Sequence, residues 1–337
     1  MISVELQELM SRGCRLLGSR YSVIGGAMTW ISDANLVAAI SNAGGFGVLA
    51  CGAMSPDHLN DEIALTQSKT HDAFGVNILL SHPRIEELLD VCIEKKISHV
   101  ILAGGVPSSS TINKLHSQGI QIFSFSSTLS LSKRLLRVGV DALILEGMEA
   151  GGHVGSVSTL VLVQDILLNL RGSPIFIAGG IGRGEVFASL LRLDAFGCQL
   201  GTLFAACKES RAHQFFKDVF FRSSARDTSV SMQIDERFKV IPVRAIANSA
   251  SKEFVEYQRS VIKRYDQKEV TLEEGQLEIE HYWAGALKRA VVDGDVERGS
   301  LMAGQIVGNV HSEQSIEEIF AKFFAEADDF LAGDAID

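Results

Sequence analysis

The feature that most limits what this chain can fold into is an alternation. Eight short apolar runs, each followed by a stretch of helical spacing, occupy its first 200 or so residues. The runs lie at 21–26 (YSVIGG), 45–50 (GFGVLA), 73–80 (AFGVNILL), 99–103, 120–126, 142–146, 175–178 and 195–200. Helical spacing follows at 33–43, 55–68, 86–96, 111–118, 129–138, 159–170 and 185–193, the eighth run leads into a helix near Phe204, and a helix at 5–17 precedes the first run. The runs are continuously apolar, as parallel strands buried on both faces are. At roughly 25 residues per unit the spacing is that of a (β/α)8 TIM barrel. A doubly wound sheet is the rival, but it would place a GxGxxG after a strand, and none follows any strand here. Almost every run ends in glycine or a small polar residue, and in a barrel these ends converge on the face that carries active sites.

The pattern changes after Phe204. Residues 211–221 are aromatic and basic, 222–243 show few periodic runs, and 254–264, 276–283 and 286–292 read as short helices. The expected organisation is a barrel of residues 1–210, with 301–337 packing back on it through a helix at 315–331. A smaller, mainly helical lid of 211–300 is inserted near the C-terminus.

Composition closes off several function classes. A net charge of −10 without a basic run argues against a nucleic-acid surface. The five cysteines are scattered and form no CxxC pair, so neither a zinc site nor a disulfide framework is expected, and a reduced, cytoplasmic setting fits. No stretch approaches about 20 apolar residues, so no membrane span is expected. The N-terminus lacks the apolar run of a signal peptide.

The chemistry concentrates at 143–158, LILEGMEAGGHVGSVS. A strand ends in Glu146, and glycines then let backbone approach a ligand closely beside His153. The plainer reading is a tight connection whose histidine caps the next helix. Residue alternation out of the strand points Glu146 and His153 toward the barrel mouth, where a histidine tuned near neutral pH can move a proton. Glu146, Glu149 and one histidine lack a second nitrogen or sulfur donor at metal-like spacing, so no metal is expected. IAGGIGRG (177–184) and QLGTL (199–203) end neighbouring strands. Their glycine amides and the Thr202 hydroxyl suit a phosphate, or Gly179 and Gly180 are only a turn. Asn77 could read the edge of a ring that offers donors and acceptors, or be a turn asparagine. Met28 and Trp30 could pack on a planar ring or fill the core. No GxSxG elbow is present.

FGVN (74–77), EGMEAGGHVG (146–155), IAGGI (177–181), QLGT (199–202) and MAGQIVG (302–308) together resemble one family. It holds the flavin-dependent enoyl-(acyl-carrier-protein) reductases of the FabK type and the nitronate monooxygenases, formerly 2-nitropropane dioxygenases. The resemblance spans nearly the whole chain. It implies a barrel that holds FMN through Gly26, Met28, Asn77, Glu146, Gly151, Gly179, Gly180, Gln199, Gly201 and Thr202, with His153 at the active-site position. NADH or NADPH is the implied co-substrate, and a small-molecule substrate carried on acyl carrier protein the implied partner. A monovalent cation and a homodimer stay open. The acid at 146 resembles the reductase branch, since many monooxygenases carry glutamine there. One departure is Ala27, which stands between the glycine pair and Met28.

Overall fold

The computed structural model of the protein describes residues 2–333; residues 334–337 of the expected closing segment lie outside it. Eight parallel strands form the barrel: β1 (Val23–Gly25), β2 (Gly47–Ala50), β3 (Phe74–Leu79), β4 (His99–Ala103), β5 (Gln121–Ser126), β6 (Ala142–Glu146), β8 (Ile175–Ala178) and β9 (Gly197–Leu200). Their order is β1-β9-β8-β6-β5-β4-β3-β2. The ring closes where Gly25 N–H donates to Phe46 O at 2.8 Å and Phe46 N–H donates to Val23 O at 2.9 Å.

Around the barrel run α1 (Val4–Leu17), α2 (Ala34–Asn42), α3 (Pro56–Lys69), α4 (Ile85–Glu94), α5 (Ser109–His116), α6 (Leu129–Val138), α7 (Thr159–Leu162) and α8 (Gly184–Arg192). The helix expected at 159–170 is in fact α7 running into a π turn, Val163–Leu167. Side chains alternate between two cores. Ile24, Phe46, Ile101, Phe123, Ile144 and Phe176 fill the barrel interior. Val76, Val100, Leu102, Leu143, Leu145 and Ile177 face the helices. This double burial is why the strands read as unbroken apolar runs.

The lower end of the barrel is plugged. Leu17, the last residue of α1, joins the interior cluster. His99, at the start of β4, sits edge-on to Phe46 and Phe123, with its Nε2 2.9 Å from Leu16 O and its Nδ1 2.8 Å from Ser98 Oγ. Burial holds its pKa below 6.5, so the ring is a neutral structural element.

After β9 come α9 (Thr202–Ala205), α10 (Gln214–Arg222), α11 (Ser249–Asp266), α12 (Leu272–Val291) and α13 (Ile316–Ala332). Three further strands, absent from the sequence reading, form a small antiparallel sheet ordered β10 (Thr228–Val230), β11 (Val243–Ile246), β7 (Gly152–His153). They are too short to carry a period, and β7 joins them only by pairing with β11, far along the chain. The helices expected at 276–283 and 286–292 are one helix, α12, because a single Gly285 costs a helix only about 1 kcal/mol. α10 buries Phe216 and Phe220 in the main core. α11 and α12 enclose a separate cluster of Phe238, Val243, Phe254, Val261, Ile279 and Trp283. Among the described residues no helix is long and apolar enough to cross a membrane.

Candidate active site

The C-terminal ends of the strands form a mouth, and the register sets its floor. Glu146 pairs with Ala178 across β6 and β8, and Ala178 pairs with Gln199 across β8 and β9. Two polar side chains therefore flank one small residue on the same rung, all three facing inward. Asn77 lies on β3, its Nδ2 donating to Ile101 O at 3.1 Å. Gly26 follows β1 and is fixed by its N–H donating to Leu200 O at 2.8 Å.

Glu146 keeps a partial opening to the mouth, but the barrel wall surrounds its carboxyl. Burial pushes its pKa up to about 8, with no charged neighbour or hydrogen bond offsetting it. Without a ligand, folding therefore favours the protonated acid between 4.5 and 8. The contribution of Glu146 to the stability of the cofactor-free protein is expected to be fully present below 4.5 and to be lost as pH rises through about 8. Glu146→Gln should flatten that dependence. Thermal unfolding of both proteins across this range measures it, and parallel curves would show that Glu146 ionises freely in the fold.

The turn after β6 carries His153, held in β7 opposite Val243. His153 is exposed as a residue, while protein atoms crowd its ring. This partial desolvation lowers its pKa below 6.5, opposed by the charge of Glu280 on α12. Glu149, the other carboxylate of the turn, is engaged structurally. It accepts from Thr159 N–H at 2.9 Å, and the Thr159 hydroxyl lies within bonding distance of both Glu149 (3.0 Å) and Gly179 O (2.9 Å).

The 302–305 segment stitches this turn to the α9 end. Gln305 N–H donates to Glu149 O at 2.9 Å, and Gly304 N–H donates to Thr202 Oγ1 at 3.0 Å. Gly151 has to be glycine here, because a Cβ would meet Ala303 C at 2.5 Å and Gly304 N at 2.6 Å.

The other two glycine turns fit an anionic group. Gly179 and Gly180 have φ of 88° and 73°, a conformation that turns successive amides into a shallow cradle. At α9 the first helical bonds run from Phe204 and Ala205 N–H to Gly201 O, leaving the Thr202 and Leu203 amides without an acceptor inside the helix. Gly201 supplies no side-chain cap. Met28 reaches the same corner, its Sδ 3.8 Å from where a Cβ on Gly201 would stand. Trp30 completes the β1 loop in the left-handed region, φ 69°, with the Lys288 ammonium of α12 5.4 Å from its ring centre. Gly26, Glu146, Gly179, Gly180, Gln199, Gly201 and Thr202 thus lie at or just beyond the C-terminal ends of β1, β6, β8 and β9, Gly151 and His153 beyond β6, and Asn77 within β3. Arg244 and Thr228 were missed, because nothing near them in sequence marks them.

A family model described as nitronate monooxygenase matches residues 11–326. The chain belongs to the nitronate monooxygenase family. This family member superposes on FabK from Thermotoga maritima with a TM-score of 0.84 and 33% identity, over 96% of this chain and 97% of that one. It is 27% identical to a probable nitronate monooxygenase of Staphylococcus aureus, over 83% of this chain and 92% of that protein. A 31% identical stretch of 220 residues matches the (3aS,4S,5R,7aS)-5-hydroxy-7a-methyl-1-oxo-octahydro-1H-indene-4-carboxyl-CoA dehydrogenase of Rhodococcus jostii. That stretch is 65% of this chain and 62% of the relative, under two thirds of its length. The family and its relatives identify an oxidoreductase, and the family is flavin-dependent in general.

Proposed function

We propose that this chain is an FMN-dependent reductase of 2-enoyl thioesters that uses NADH or NADPH, with the acyl chain presented on acyl carrier protein. The observation that carries the reading is the likeness to FabK along almost the entire length of both chains. The acid at position 146 supports it less than its charge suggests. Below about pH 8 a protonated Glu146 offers one donor and one acceptor, as a glutamine would.

In this reading the Gly179–Gly180 cradle and the Gly201–Thr202 amides hold the phosphate of FMN. Gly26, Met28, Asn77, Glu146, Gly151 and Gln199 line the ring. Bound FMN supplies a hydride path from the nicotinamide to the β-carbon of the enoyl chain. The protein's own residues do the rest. Protonated Glu146 donates a hydrogen bond at the floor of the mouth, which a carboxyl can do only when it is kept neutral, as burial keeps it here. His153, directly or through a water it orients, holds a proton at the α-carbon and stabilises the enolate oxygen. Residues 211–300 act as the lid, with α12 laid toward the mouth so that Lys288 meets Trp30 and Glu280 meets the field of His153.

Anaerobic mixing of the yellow protein with NADH or NADPH tests the reading. Bleaching of the flavin, followed by reoxidation on adding a 2-enoyl thioester, is the expected sequence. The second reading, a nitronate monooxygenase, is favoured by the Staphylococcus aureus relative. It takes over if neither nucleotide bleaches the flavin while a nitronate drives oxygen consumption.

A further inference from the structure

One buried side chain grips the His153 turn from outside and has no part in the reading above. Arg244 lies on β11 and is 4% exposed. Its Nε donates to Met148 O at 2.9 Å and its Nη1 donates to Thr228 Oγ1 at 3.1 Å. Its backbone pairs with Gly152, while the two residues before it hold the next residues of the turn: Val243 pairs with His153, and Pro242 O accepts from Val154 N–H at 2.9 Å. Side chain and backbone thus hold the turn on both sides of its glycines.

Stability does not account for this residue. Burial works against the guanidinium charge, and Glu149, already engaged by Thr159, acts on it only through space. A cation this deep without a bonded carboxylate is a weaker choice for the fold than an apolar side chain of similar volume. A lysine would not replace it, because a single ammonium cannot span two acceptors in a fixed fork. What the fork does accomplish is to fix the separation between Met148 O and the β10 strand, and with it the path of the chain through Gly151, Gly152 and His153.

We propose that Arg244 is a positioning residue for the reaction, setting the His153 imidazole over the mouth by clamping the turn that carries it. The proposal rests on the reading of His153 as the group that acts on substrate.

The test is a double-mutant cycle in the holoenzyme with Arg244→Lys and His153→Ala. It is run on whichever substrate the wild type turns over, enoyl thioester or nitronate. Arg244→Lys should lower kcat roughly tenfold, leave KM for the flavin-reducing substrate unchanged, and add nothing in the His153→Ala background. In the cofactor-free protein, amide exchange across 148–153 should rise in Arg244→Lys and stay at wild-type level elsewhere in the barrel. A loss of the same size in the His153→Ala background, or wild-type kcat in Arg244→Lys, overturns the positioning role alone. If His153→Ala is itself as active as wild type, the reading of His153 falls and this proposal falls with it. Should Arg244→Lys fail to fold, Thr228→Val removes only the far acceptor and carries the same cycle.

Discussion

Replacing His153 with alanine is expected to leave a yellow protein that NADH or NADPH still bleaches, yet one that turns over a 2-enoyl thioester roughly 10²–10⁴-fold more slowly. The expectation follows from where the ring is held. β7 fixes its backbone against Val243, and its exposed side chain takes no part in the Gly179–Gly180 or Gly201–Thr202 turns. Its lowered pKa leaves it neutral at pH 7, able to donate one hydrogen bond and accept another. Stopped-flow separation of the two half-reactions is the measurement. Near wild-type rates in both would mean that the ring is structural and that the proton comes from elsewhere.

Gly180→Val is expected to yield a folded protein that purifies without flavin. The backbone at this position has φ 73°, which a β-branched residue tolerates poorly, and the new Cβ would press on Glu149 Cβ at 3.2 Å. The neighbouring Gly179 is a worse place for the test, since a Cβ there would stand 2.9 Å from Gly147 O and strain the turn itself. Position 180 spoils the cradle while sparing the barrel ladder. Visible absorbance alongside circular dichroism reads the result, and full flavin retention would remove the phosphate assignment.

The barrel was legible because its strands are buried on both faces and so carry an unbroken apolar signal. The helices between them show one clear stripe each. The floor of the site was legible for a related reason: strand alternation alone points Glu146 and Gln199 inward, and their common rung then follows from the sheet order. What holds the site could not be read. Arg244 reaches Met148 across 96 residues, and Gly304 reaches Thr202 across 102. No local period encodes either contact. The three strands of the small sheet are too short to show a period, and β7 reaches its partner β11 only from far along the chain. The stretches 276–283 and 286–292 join into one helix, α12, because packing around Ile279 and Trp283 carries it through Gly285.

The stitching of the mouth also sets the order in which a ribosome can complete this protein. All eight barrel strands have been synthesised once Leu200 has been added, and a nascent chain of that length can begin to close its ring. The floor residues Asn77, Glu146 and Gln199 are then already present. The turn that holds His153 is not yet secured, because β11 begins only at Val243 and the residues that tie Glu149 and Thr202 are Gln305 and Gly304. α13, which packs against α8, comes later still. During synthesis the chain therefore passes through a stage with a barrel but no finished mouth, and the turn that holds His153 is among the last parts of the fold to be secured.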